Sequence, residues 1–271
     1  MSDVKKYLAK YVPQGTLIYS VPSTNTETSL LMNMMDQVED FASKVQELQN
    51  LYNFKNYHLI CHSQGGLICR SFIQLYPNHG VKVFISLSGV QNGQFGIPGI
   101  LSWEQEWKKN FPFLWNLTKE EAFHFFYTDF FQKTMSVAGY WKDPFHYDEY
   151  RQNSQFLAVV NNDSLIHDYA SKYQFRSNFL QIDKMVLTTS PDDEVIKPYY
   201  SALFGFYALN NQNQLAQSLM PDQQIYKNDV FGLKTLDSQK RLIVHVVPGI
   251  NHMLWIESEQ LVVQYMLPYL Y

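Results

Sequence analysis

Apolar runs of strand length alternate with stretches of helical period along most of this chain. Thr16 to Ser20 is predicted as a short strand. From Ser29 to Leu51, the residues Leu30, Leu31, Met34, Val38, Phe41, Val45 and Leu48 recur at helical spacing and predict an amphipathic helix. His58 to Cys61 predicts a strand, Gly66 to Leu75 a helix behind it, and Val83 to Leu87 the next strand. Two further β-branched, apolar runs, Lys184 to Ser190 and Leu242 to Val247, stop at turn residues. Such alternation predicts an α/β fold class, a mostly parallel sheet with helices on both faces. No internal repeat, low-complexity tract or linker-like segment breaks it.

The texture changes between Phe95 and Tyr150. Seventeen of those fifty-six positions are aromatic, close to twice the 16% of the whole chain. A helical subdomain packing on itself would need such a composition. So would a cap that gives an active site an apolar slot, because ligand pockets are mainly hydrophobic with few polar groups. The two readings are compatible. Phe95, Trp103, Trp107 and Trp141 are the candidate substrate-lining residues, and 95–180 is read as a cap inserted into one domain spanning 1–271.

Candidate chemistry centres on Leu59-Ile60-Cys61-His62-Ser63-Gln64-Gly65-Gly66. Strand, sharp turn and helix follow one another without a spacer, and Cys61-x-Ser63-x-Gly65 is one step from the G-x-S-x-G pattern of a hydrolase nucleophile. At such a turn the serine takes a strained backbone conformation, and the residues two before and two after it must be small. A serine hydrolase of this type needs a later carboxylate and then a later histidine, each on a loop after a strand. The run from Lys184 stops at Pro191-Asp192-Asp193-Glu194, and the run from Leu242 stops at Pro248-Gly249-Ile250-Asn251-His252. Ser63, Asp193 and His252 therefore form a candidate triad, with the adjacent Asp192 competing for the acid. His62 flanks the serine, but neighbours on an elbow point apart, so it is not read as the base.

Composition narrows the rest. With 271 residues, 46% hydrophobic and 17% charged, the chain can bury a large core. A net charge of -4 and no Lys/Arg cluster give no footprint for nucleic acid. No apolar stretch approaches a membrane span of roughly 18 to 20 residues. The other histidines lack metal-ligand spacing, so no metal and no cofactor are expected. Cys61 and Cys69 look like small buried fillers rather than a disulfide pair. Arg70 and Lys234 are read as surface or structural charges. Asn116-Leu117-Thr118 and Asn162-Asp163-Ser164 match the glycosylation acceptor pattern, which matters only for a secreted chain. The first residues, Met1-Ser2-Asp3-Val4-Lys5-Lys6, lack the order of a secretory signal.

Taken together, several stretches resemble the palmitoyl-protein thioesterases. These are the elbow Leu59 to Leu67, the strand and loop Phe84 to Gly96, Tyr140-Trp141-Lys142-Asp143-Pro144, Pro191 to Ile196, Phe204-Gly205-Phe206-Tyr207, Phe231 to Leu236 and Gly249-Ile250-Asn251-His252. Cys61 is similar to the second, lysosomal branch of that family. The resemblance implies an α/β-hydrolase fold, hydrolysis of long-chain fatty acyl thioesters and a lysosomal location. It carries the nucleophile onto Ser63, the base onto His252 and, by the spacing back from Phe204-Gly205-Phe206-Tyr207, the acid onto Asp193. It also implies an earlier central strand ending in a His-Gly loop that supplies one oxyanion N–H. Residues 1–20 hold no match to it, so that amino-terminal strand is read as missing.

The backbone N–H of Gln64, immediately after the nucleophile, is the oxyanion donor the residues do supply. Losing a second donor costs on the order of a hundred- to a thousand-fold in rate. A thiolate leaving group, with a free pKa of about 8.5, needs less proton assistance than an alkoxide, which favours a thioester substrate. Two other readings stay open: a non-catalytic acyl-binding relative, and a serine esterase or lipase acting on oxyesters.

Overall fold

Four of the predicted strands pair into one all-parallel sheet. β1 (Tyr57–His62), β2 (Val81–Leu87), β3 (Lys184–Thr189) and β6 (Leu242–Val246) lie in the order β1-β2-β3-β6. The structure is a computed structural model and describes residues 2–21, 29–96 and 121–271. β2 and β3 are buried almost throughout, as strands covered on both faces must be. β1 and β6 have one neighbour each among the described strands and alternate in burial.

Alternate side chains of the sheet feed two cores. Phe84, Met185 and Leu187 pack with Met34, Val38, Leu67 and Phe72 of the helices Met34–Tyr52 and Gln64–Leu75. Val83, Ile85, Leu87 and Val186 pack on the other face with Val4, Leu8, Trp255, Val262 and Met266, from the helix Ser2–Leu8 and the carboxyl-terminal helices. Because all four strands run one way, their carboxyl ends deliver Ser63, the loop from Ser88, the loop from Ser190 and the loop from Val247 to one edge. Ligands of open α/β sheets bind at that edge.

Three local expectations change. Thr16 to Ser20 forms no strand: Leu17 and Tyr19 are about half exposed, and the segment lies on no ladder that would hold it as one. The helix expected from Ser29 has its main body at Met34, because the Asn33 side chain accepts the Asp36 N–H at 2.9 Å and caps it there. Tyr52 ends it, with Asn53 in the left-handed conformation. A second, two-stranded antiparallel sheet was not foreseen, β4 (Phe206–Leu209) with β5 (Leu215–Ser218). Asn210 makes its turn by accepting the N–H groups of Gln212 and Gln214 through its side chain. No described helix is long and apolar enough to cross a membrane.

Between β2 and β3 the described residues 121–183 form short helices and no strand. Arg70 ties them to the helix Gln64–Leu75 and is fully buried rather than on the surface. Its guanidinium donates to Asn161 Oδ1 at 2.9 Å and lies 5.5 Å from the ring centres of Phe204 and Phe231. Asn161 and Lys142 both donate to Asn92 Oδ1 at 2.9 Å, and Lys142 lies 3.6 Å from Asp163. Burial pulls the Lys142 ammonium below its ordinary range and Asp163 opposes it. A paired, hydrogen-bonded cation is the form in which lysine tolerates such burial.

Candidate active site

Ser63 has φ 56° and ψ -131°, a conformation that L-residues adopt only when the surroundings impose it. The surroundings here are hydrogen bonds to β2 and the loop beyond it. Ser63 N–H donates to Leu87 O at 3.0 Å, and Ser63 O accepts from Gly66 at 2.9 Å and Val90 at 3.4 Å. The crowding that demands glycine falls on Gly66, one residue later than the motif suggests. A Cβ there would sit 2.8 Å from Ser86 Oγ and 2.9 Å from Gly89 Cα, whereas one at Gly65 would meet nothing within 4 Å. Close approach of the helix to the turn after β2 is the reason.

The helix Gln64–Leu75 starts directly after Ser63, so the Gln64 N–H is one of its amides without an intrahelical acceptor and lies at the positive end of the helix dipole. The Gln64 side chain is held by Gln37 Oε1 at 2.8 Å. The loop after β3 supplies Asp193, which is 1% exposed, and the loop after β6 supplies His252, also 1% exposed. Asp193 Oδ2 lies 2.9 Å from His252 Nδ1. Asp193 Oδ1 accepts the N–H groups of Val195 at 2.8 Å and Ile196 at 3.0 Å. Burial alone would raise the Asp193 pKa, but the bond to His252, its charge and the two backbone N–H donors outweigh this and hold the carboxyl below its ordinary range. Asp192 is exposed and accepts Gly249 N–H at 2.6 Å, so it staples the histidine loop instead.

A strained serine after β1, a buried aspartate after β3 and its paired histidine after β6 thus lie at the carboxyl edge of one parallel sheet. A family model described as palmitoyl protein thioesterase matches residues 1–252. This chain belongs to that family. It is 37% identical to the lysosomal thioesterase PPT2-B of Xenopus laevis over 89% of this chain and 77% of that protein. It is 35% identical to the lysosomal thioesterase PPT2 of Mus musculus over 92% and 78%. The PPT2 homolog of Drosophila melanogaster is 31% identical over 100% of this chain and 86% of its own. The all-parallel sheet of this chain, covered by helices on both faces, is that of an α/β-hydrolase fold.

Two of the four expected wall residues, Phe95 and Trp141, lie among the described residues. Phe95 and Trp141 are buried and pack on one another at 5.5 Å within an aromatic cluster that includes Phe126 and Phe145. Trp103 and Trp107 lie outside the described residues, as does Asn116. The cavity that reaches Ser63, of about 280 Å³, is walled by Phe41, Leu59, Ile60 and Ile68, with Gln37 and Asp40 among its polar members. Phe41 and Ile68 were legible as core positions of their helices, and nothing in their spacing marked them as walls.

Cys61 and Cys69 are joined in a disulfide, which corrects the reading of them as separate fillers. The elbow turns the helix back along the strand it leaves, bringing the two Cα atoms to 6.6 Å despite a separation of 8 residues. The double variant C61A/C69A is expected to lose about 2–3 kcal/mol of unfolding free energy, by chain-entropy arguments for so short a loop. Urea unfolding of the oxidised wild type beside the variant measures it. Coincident midpoints at equal slope would mean that the bond constrains nothing the elbow does not already fix.

Proposed function

We propose that Ser63 is the nucleophile of a fatty acyl thioester hydrolase, with His252 as its general base, Asp193 as the carboxylate behind that base and the Gln64 N–H as an oxyanion donor. Thioester hydrolysis is the activity of the family to which the chain belongs. The observation that carries the residue assignment is the buried Asp193–His252 bond at 2.9 Å beside a serine held at positive φ. With Nδ1 engaged by Asp193, Nε2 is the nitrogen left to take the Ser63 proton as Oγ attacks the acyl carbonyl. Negative charge builds on the carbonyl oxygen, and a helix-terminal amide is suited to meet it. Collapse breaks the C–S bond, and the thiol leaves with the proton from His252. Water, deprotonated by the same imidazole, then releases the fatty acid from Ser63.

Apolar walls around Ser63 suit an acyl chain, and the cavity shares Tyr19, Leu59 and Ile60 with a larger, mainly apolar groove of about 540 Å³ along the outer edge of β1. The thiol leaving group favours thioesters over oxyesters. We place the chain in the lysosome, on the names of the relatives it matches.

Rapid quenching of the enzyme with palmitoyl-CoA, followed by peptide mass analysis, tests the covalent step. A palmitoyl adduct on the peptide bearing Ser63, formed and lost at the rate of turnover, is expected. Turnover with no adduct at Ser63 would overturn the assignment. Faster cleavage of a palmitoyl nitrophenyl oxyester than of palmitoyl-CoA would favour the esterase alternative.

A further inference from the structure

The loop bearing His252 is held from the acid side by several bonds. Asp192 accepts Gly249 N–H at 2.6 Å, Glu194 accepts His252 N–H at 3.2 Å, and Asp193 engages the ring. From the nucleophile side it is held by His62. The His62 Nε2 lies 2.9 Å from the His252 carbonyl oxygen, and the two imidazoles sit 4.5 Å apart at 43°.

We infer that His62 is a positioning residue, which fixes the His252 backbone against the elbow by donating its Nε2–H to the His252 carbonyl. The inference rests on the reading of Ser63 and His252 as nucleophile and base. A carbonyl oxygen can only accept, so the tautomer follows from the partner: His62 carries its proton on Nε2. His62 is covalently next to Ser63, so this one bond links the nucleophile's own strand end to the loop carrying the base. The strand end is rigid, being paired to β2 through Cys61 and His62. The loop after β6 is not part of any ladder, and its imidazole must meet Oγ to within a fraction of an ångström. A displacement of about 1 Å can cost on the order of a hundredfold in rate.

The charge state suits the role. Burial, and next the neighbouring His252, hold the His62 imidazole well below its ordinary pKa; its bond to the His252 carbonyl and the nearby Asp193 oppose this less strongly. A neutral His62 leaves the imidazolium that forms on His252 to be stabilised by Asp193 without a second positive charge at 4.5 Å. His62 does not exchange protons with substrate, because its Nε2–H is committed to a backbone oxygen.

The test compares donors with non-donors at this position in palmitoyl-CoA hydrolysis. His62→Phe keeps the ring and loses the N–H; His62→Met and His62→Gln are alike in length and differ in the donor. Phe and Met are expected to lower kcat about 10- to 100-fold with KM within about threefold, while Gln recovers most of kcat. Either non-donor retaining kcat within twofold overturns the inference, and so does a folded Gln variant as slow as Met, since packing rather than the bond would then matter. Should Phe fail to fold, the Gln and Met pair still decides. A serine-directed fluorophosphonate separates the two levels of argument. Wild type unlabelled at Ser63 sinks the nucleophile reading itself, whereas wild-type labelling rates in Met and Phe sink only the role of His62.

Discussion

Ser63→Ala is expected to lower kcat for palmitoyl-CoA hydrolysis by about 10⁶-fold, near 8 kcal/mol of transition-state stabilisation, while palmitoyl binding stays within a few-fold. The asymmetry follows from what the hydroxyl does. Its oxygen makes no capping bond to the helix that follows, so folding does not depend on it. The backbone at φ 56° is imposed by the bond from Ser63 N–H to Leu87 O and those from Gly66 and Val90 N–H to Ser63 O, which alanine keeps. Under the proposed mechanism, what is lost is the atom that accepts the acyl group, and no neighbouring group can replace a covalent intermediate. Thiol release followed with a chromogenic disulfide measures the first quantity, and calorimetric titration with palmitate the second. A variant retaining a tenth of wild-type turnover would remove Ser63 from the chemistry. A wild type that binds acyl chains and never turns over would be the non-catalytic relative.

The sheet was legible because its strands are chemically distinct from their surroundings. β2 and β3, covered on both faces, are mainly apolar or β-branched, and β6 is an apolar run as well, although only its burial alternates because one face is lightly covered. Ends were less legible, since they depend on single side chains. Asn33 caps the long helix at Met34, yet Leu30 and Leu31 before it continue the same apolar spacing. Thr16 to Ser20 has strand-forming residues and no ladder, a condition that local composition cannot report. β4 and β5 are four residues each, too short for their period to stand out.

At the site, residue types and chain order named Ser63, Asp193 and His252, because each ends a strand whose partner strands align their carboxyl ends. Contacts between loops were not legible. The choice between Asp192 and Asp193 turns on which side chain faces inward, and the Cys61–Cys69 bond on how tightly the elbow reverses the chain. His62 shows the same limit. Neighbours on an elbow do point apart, but the loop after β6 comes to the side on which His62 lies, which only the assembled sheet reveals.

Asp193→Asn is expected to lower kcat about 10⁴-fold, with Asp192→Asn within tenfold of wild type. The reason is the direction of hydrogen bonds. In Asp193 one oxygen accepts from Val195 and Ile196, and the other faces His252 Nδ1. An asparagine must keep its carbonyl on the two backbone N–H groups, which turns its NH₂ toward Nδ1. His252 then has to accept at Nδ1 and carry its proton on Nε2, the tautomer that cannot take a proton from Ser63. Asp192→Asn changes a different bond, that from Gly249 N–H, and its amide oxygen can still accept it. The pH dependence of stability separates the two further. Because the folded carboxyl of Asp193 lies below its ordinary pKa, its contribution is present above that ordinary value and is lost as pH falls through the lowered one. Urea midpoints between about pH 5 and pH 3 should therefore decline less steeply in Asp193→Asn than in wild type. Equal kcat losses in the two variants would instead mean that the adjacent aspartates share the support of His252.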